Sequence, residues 1–135
     1  MAELRERFAL SCEILGGDRE AELTFLGTST GHNGGQNILV IDIGGGSTEM
    51  IVGRGPEPLF HTSLQAGVVR HTERNLTSDP PTSAELDALA KDISKLVQAS
   101  LEGVELPPID RAIAVAGTHS SLAAIDLELE PYDPK

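Results

Sequence analysis

The chain has 135 residues, 39% of them hydrophobic and 23% charged, and 10 Lys and Arg against 21 Asp and Glu give a formal net charge of −11. That length suits one globular domain, residues 1–135, with a core large enough to need no covalent staples. Cys12 is the single cysteine, which excludes an internal disulfide framework, and His32, His61, His71 and His119 lack the paired spacing of a zinc site. The acidic balance repels polyanions at long range and argues against nucleic acid as a partner; the acids are spread along the chain as a solvated surface. No stretch is long and apolar enough to span a bilayer, and MAELRERFAL lacks the charge order of a signal peptide, so a cytoplasmic, reducing setting is the expectation. In that setting the match of Asn75-Leu76-Thr77 to a glycosylation acceptor carries no meaning.

Taken in order, Ser11–Leu15 predicts a short strand. Gly16-Gly17 follow, and Asp18 is a good N-cap for a helix carrying Ala21, Leu23, Phe25 and Leu26. Glu20 then falls in the first helical turn. From Gly27 the polar GTSTGHNGGQ reads as a connection without periodicity. Asn37–Ile43 is almost wholly apolar and rich in branched residues, the pattern of a central strand buried on both faces. Two further strands, Ser47–Gly53 and Pro58–Leu64, with short connections complete an antiparallel meander; Thr48, Met50 and Val52 alternate against Glu49 and Ile51.

The remainder is more helical. Gly67–Leu76 predicts a short helix and SDPP breaks it. Thr82 with Glu85 three residues later has the capping-box pattern, opening a helix whose stripe of Leu86, Leu89, Ile93, Leu96 and Val97 is expected in the core. Gly103 and Pro107-Pro108 end it. Arg111–Ala116 reads as a last strand, and Gly117-Thr118 lead into a helix through Leu122 and Ile125. No internal repeat is present.

The segment with chemical content is VIDIGGGSTEM, Val40–Met50. Backbone without Cβ atoms lets a ligand approach N–H groups, so successive glycines form an anion-binding concavity suited to phosphate. Gly44, Gly45 and Gly46 would offer amides, and Ser47 and Thr48 hydroxyls. Asp42 and Glu49, on either side, could hold a hard cation such as Mg²⁺ or Ca²⁺ that offsets their repulsion of phosphate. Three glycines between strands also suit a plain tight hairpin, and both acids could simply be solvated. No Gly-Lys-Ser/Thr follows and the next element is a strand, which excludes a P-loop and a dinucleotide fingerprint.

The full string Asp42-Ile-Gly-Gly-Gly-Ser-Thr-Glu49 resembles the second phosphate-binding loop of the exopolyphosphatase/guanosine pentaphosphate phosphatase family, within the sugar kinase, heat-shock ATPase and actin superfamily. The resemblance extends upstream through Glu13-Ile-Leu-Gly-Gly-Asp-Arg-Glu-Ala21. Downstream it takes in Leu64–Glu73, Ser78–Thr82, Ala116-Gly-Thr118 and Pro131-Tyr-Asp-Pro134. It implies an α/β lobe of ribonuclease H-like type, a mixed sheet with an antiparallel meander and flanking helices. It also implies that this is the second of two lobes, since the Asp-x-Gly-Ser-Asn-Ser loop of the family's first lobe does not occur here. A lone lobe is then expected to turn over little substrate.

Family members hydrolyse a terminal phosphoanhydride of polyphosphate or guanosine pentaphosphate with carboxylate-activated water, and the aligned carboxylate is Glu20. The resemblance further assigns Asp42 and Glu49 to a divalent ion and places Gly117 and Thr118 near the nucleotide. Read by residue type alone, Glu20 also favours a helix dipole, and Gly117-Thr118 also make a strand-to-helix turn. Arg19 stands where the family usually has another glutamate, and an arginine there could contact phosphate oxygens. Arg70 and Glu73 lie in a matching segment but have the spacing of a surface ion pair. His61 and His71 read as structural.

Overall fold

The computed structural model describes residues 2–32 and 34–130; Pro131–Pro134 of the resemblance lie outside the described residues. The elements in order are α1 (Ala2–Phe8), α2 (Gly17–Ser29), β1 (Asn37–Ile43), β2 (Thr48–Arg54), β3 (Glu57–Leu64), α3 (Val68–Asn75), α4 (Ser83–Leu101), β4 (Arg111–Val115) and α5 (Ala116–Asp126). They form an α/β unit around a four-stranded mixed sheet of order β3-β2-β1-β4. The first three strands are the expected meander, and β4 joins β1 in parallel. Asn37 pins that parallel pair where it begins: its N–H donates to Asp110 Oδ2 at 2.8 Å and its side-chain amide to the Pro108 carbonyl at 2.9 Å.

Period-two alternation divides the sheet into two unlike faces. On one, Ile38 and Val40 of β1 lie across from Gly53 and Ile51 of β2, and α2 covers them with Ala21 and Phe25. This is the core, completed by Ile113 and Val115 of β4. Gly53 is required here, because a Cβ at that position would overlap the Phe25 ring and the Glu57 carbonyl. A bulge between Val52 and Gly53 accompanies this close approach.

The other face is covered less completely. Ile41, Ile43, Met50 and Leu64 look across a cavity of about 450 Å³ toward Leu89, Ile93 and Val97 of α4 and His71 of α3. The capping box at Thr82 and Glu85 forms as expected, but no residue of α4 is fully buried and Leu86 is 48% exposed. The α4 stripe therefore faces the sheet without packing tightly on it, a correction to its expected place in the core. The two-sided burial of β1 is corrected likewise, since Leu39, Ile41 and Ile43 are only half-buried.

Two further expectations differ. Ser11–Leu15 forms no strand: neither sheet edge receives it, its backbone gains no ladder, and Ile14 is 83% exposed. Helix α2 starts at Gly17 with Gly16 as its N-cap, so Asp18 lies inside the first turn. It also continues past Gly27, with Thr28 and Thr30 hydroxyls donating to the Thr24 and Leu26 carbonyls at 2.8 and 2.7 Å. Leu23 and Leu26 stay largely exposed.

Candidate functional site

The buried face of β1 runs Ile38, Val40, Asp42, so the acid is the next member of a core stripe at the end of the strand. The register places Glu49 directly opposite it. Like charges facing across an antiparallel pair oppose strand pairing, a cost with no structural gain of its own. Helix α2 brings its first turn to the same place. Gly17, Glu20, Ala21 and Thr24 share one helical face, and with Asp42, Glu49 and Ile51 they line a cavity of about 170 Å³. Glu20, Asp42 and Glu49, far apart in sequence, thus converge.

The far wall of this cavity comes from β3. His61 and Ser63 lie opposite Ile51 and Glu49, and the Ser63 hydroxyl donates to Glu49 Oε1 at 2.8 Å, leaving the other carboxylate oxygen available. His61 Nε2 is 3.2 Å from Asp18 Oδ1 beside the same opening. Residue type alone reads His61 as structural and does not single out Ser63. Strand parity is the signal that finds both, since in a hairpin paired Glu49 to Ser63 they share a face with the acids.

The glycine loop joins β1 to β2 immediately beyond the acid pair. It is closed by Gly44 N–H donating to the Ser47 carbonyl at 2.9 Å. From outside, α3 holds it: Val68 N–H donates to the Gly44 carbonyl at 3.0 Å and Arg70 N–H to the Gly45 carbonyl at 3.1 Å. Its carbonyls are thus turned to the protein, while the Gly45, Gly46 and Ser47 amides meet no acceptor among the described residues. Gly45 and Gly46 are exposed and Ser47 half-buried. The tightest steric demand sits across the contact, at Gly67, where a Cβ would overlap the backbone of Gly45 and Gly46.

Two predicted phosphate ligands have other work for their hydroxyl protons. Thr48 Oγ1 donates to the Ala66 carbonyl, and Thr118 Oγ1 to the Ile43 carbonyl at 2.7 Å. Both brace the loop, the second by tying the start of α5 to the end of β1. Gly117 follows Ala116, whose φ of 68° is costly for a residue with a Cβ. Arg19 Nη1 donates to Glu22 Oε2 at 2.6 Å on the surface. Arg70 is not paired with Glu73; its Nε donates to the Gly46 carbonyl at 2.7 Å.

Asp42 and Glu49 suit a hard divalent ion by donor type and by facing each other across the ladder. Among the described residues no group of three or more metal-ligating side chains gathers. His71, by contrast, is buried, faces the apolar cavity on the opposite face of the sheet, and has no hydrogen-bond partner for either ring nitrogen among the described residues.

The chain is 36% identical over 125 residues to exopolyphosphatase 2 of Mycobacterium tuberculosis, covering 91% of this chain and 39% of the relative. It is 26% identical over 127 residues to the guanosine-5'-triphosphate,3'-diphosphate pyrophosphatase of Photobacterium profundum, covering 94% of this chain and 26% of that protein. The solved PPX-GPPA enzyme of Aquifex aeolicus superposes with a TM-score of 0.82 at 29% identity, over 98% of this chain and 43% of the other. The chain therefore spans about two fifths or less of the length of these proteins. The model of the Ppx/GppA phosphatase family matches residues 1–130, and the chain belongs to that family.

Proposed function

We propose that this chain is the phosphate-binding half of a hydrolase that removes the terminal phosphate from a linear phosphoanhydride, either inorganic polyphosphate or guanosine pentaphosphate. The observation that carries the reading is the convergence of Glu20, Asp42 and Glu49 on one cavity at the foot of the glycine loop. The Gly45, Gly46 and Ser47 amides and the Ser47 hydroxyl bind the phosphoryl oxygens, with Gly44, Thr48, Gly117 and Thr118 shaping the loop around them. Glu20 takes a proton from water as the water oxygen bonds to the terminal phosphorus; the bridging P–O bond breaks and its electron pair stays on the departing oxygen. Asp42 and Glu49 would hold Mg²⁺ or another divalent ion, which when bound would supply charge compensation for the phosphate.

A half-cleft loses much of the positioning on which phosphoryl transfer depends. The isolated chain is accordingly expected to release little phosphate, and addition of the other lobe of a family member to raise the rate. In that reconstituted protein Glu20→Gln lowers kcat by roughly 10²–10⁴-fold. Release from polyphosphate, measured with and without the other lobe, checks both points. Undiminished turnover in Glu20→Gln overturns the role of Glu20, and robust Glu20-dependent release by the chain alone overturns the half-cleft.

A second reading, a noncatalytic phosphate-binding module that pairs with another lobe, is favoured by the exposure of Leu10, Ile14 and Leu15 just ahead of α2. The same reconstitution separates the two: pairing and phosphate binding without turnover supports the module.

A further inference from the structure

The Arg70 guanidinium sits where its residue type would not have placed it. An arginine three residues before a glutamate on a short surface helix has a ready partner in Glu73, yet Arg70 reaches back to the loop and donates Nε–H to the Gly46 carbonyl. Its own backbone N–H is bonded to the Gly45 carbonyl, so both ends of the residue are anchored on the loop. Nη2 comes within 3.7 Å of the Cβ position of Gly46. A guanidinium has five N–H donors and only one is committed, and no carboxylate pairs with this one among the described residues. In a chain with 21 acids, a cation fixed to the carbonyl of a loop whose amides are exposed and acceptor-free is the local exception.

We infer that Arg70 makes the glycine loop a two-phosphate site, in which the loop amides hold one phosphoryl group and the guanidinium holds the next group along a linear phosphoanhydride. This rests on the phosphate-binding reading of the loop given above. A trans peptide points its C=O and the following N–H opposite ways, so the bond to the Gly46 carbonyl sets the guanidinium apart from the Ser47 amide: an orthophosphate seated on the amides does not need it, whereas a longer phosphate chain can extend around the loop to reach it. The fork geometry allows this division of labour. Nε anchors while the Nη groups stay free to pair with two oxygens, which a lysine ammonium cannot reproduce.

The test is calorimetric titration of this chain, at fixed Mg²⁺, with orthophosphate and with tripolyphosphate. Wild type is expected to bind tripolyphosphate at least about tenfold more tightly than orthophosphate, as a charge-assisted bidentate contact gives. Arg70→Gln is expected to lose most of that ratio while orthophosphate binding stays within about twofold, and Arg70→Lys to keep only part of it. Equal weakening toward both ligands, with shifted amide resonances at Gly44–Ser47, means Arg70 merely holds the loop and overturns the inference. An unchanged ratio in Arg70→Gln overturns it while leaving the phosphate-binding reading intact. Failure of wild type to bind either ligand overturns both.

Discussion

At the scale of single residues, the glycine with the greatest consequence lies outside the motif that draws the eye. Gly67 has φ −102°, a conformation any residue adopts, so its requirement is purely steric. A Cβ there would meet backbone atoms of Gly45 and Gly46, which cannot rotate away as a side chain can. Gly67→Ala must therefore push α3 off the loop and weaken the bonds from Val68 and Arg70 to the Gly44 and Gly45 carbonyls. The expected cost is about 1–3 kcal/mol, the range for overpacking a tight contact, with phosphate binding weakened in step. Gly27→Ala is the control: it lies within α2 with open space around it, and is expected to be neutral or to stabilise by up to about 1 kcal/mol through helix propensity. Urea unfolding of the two variants checks the contrast, and equal stabilities would mean that the loop and α3 are not in the contact described.

At the scale of elements, the start of α4 is organised by one carboxylate. Glu85 Oε1 accepts from the Thr77 N–H at 2.8 Å and its hydroxyl at 2.7 Å, and Oε2 from the Thr82 N–H and hydroxyl, each at 2.8 Å. These donors, the Thr82 backbone first and the Thr77 hydroxyl next, hold the Glu85 carboxyl well below its ordinary value of 4.5. A depressed folded-state pKa contributes stability that is present above the unfolded value and lost as pH falls toward the folded one. Wild type should thus lose this contribution progressively below about pH 4.5, whereas Glu85→Gln lacks it throughout. The difference in Tm between the two is expected to be largest near neutrality and to shrink at pH 3, followed by circular dichroism; a gap that does not change with pH would refute the linkage. The sequence carried this element plainly, because a capping box is local and its partners sit three residues apart. It did not carry the looseness of the α4 stripe over the sheet, nor the lack of a strand at Ser11–Leu15. Both depend on what lies across a gap rather than on the pattern within a segment.

At the scale of the whole molecule, the legible and illegible parts of the site divide in the same way. A hairpin through the glycine loop was enough to return Glu49 to the neighbourhood of Asp42, but alternation fixes only faces, and the register that sets the two directly opposite comes from the strand pairing. The approach of Glu20 required knowing which sheet face α2 covers, and the braces from Ala66 and Ile43 to Thr48 and Thr118 span segments that no local rule connects. Charge is the remaining whole-molecule constraint. A chain of net charge −11 with two carboxylates facing each other at the mouth of a phosphate loop repels the ligand that its amides invite. Arg70 offsets only part of this, so phosphate binding is expected to depend on a divalent cation. Mg²⁺ titration followed by amide shifts is expected to show weak, saturable changes at Asp42–Glu49 in wild type, with water completing the coordination of two carboxylates. In the Asp42→Asn, Glu49→Gln double variant the Mg²⁺ response disappears, while tripolyphosphate binding becomes less dependent on the metal because the repulsion has gone. Chelation by EDTA should weaken tripolyphosphate binding in wild type and leave the double variant nearly unchanged. Identical, featureless Mg²⁺ titrations of the two proteins would show that the acid pair is no metal site in this chain.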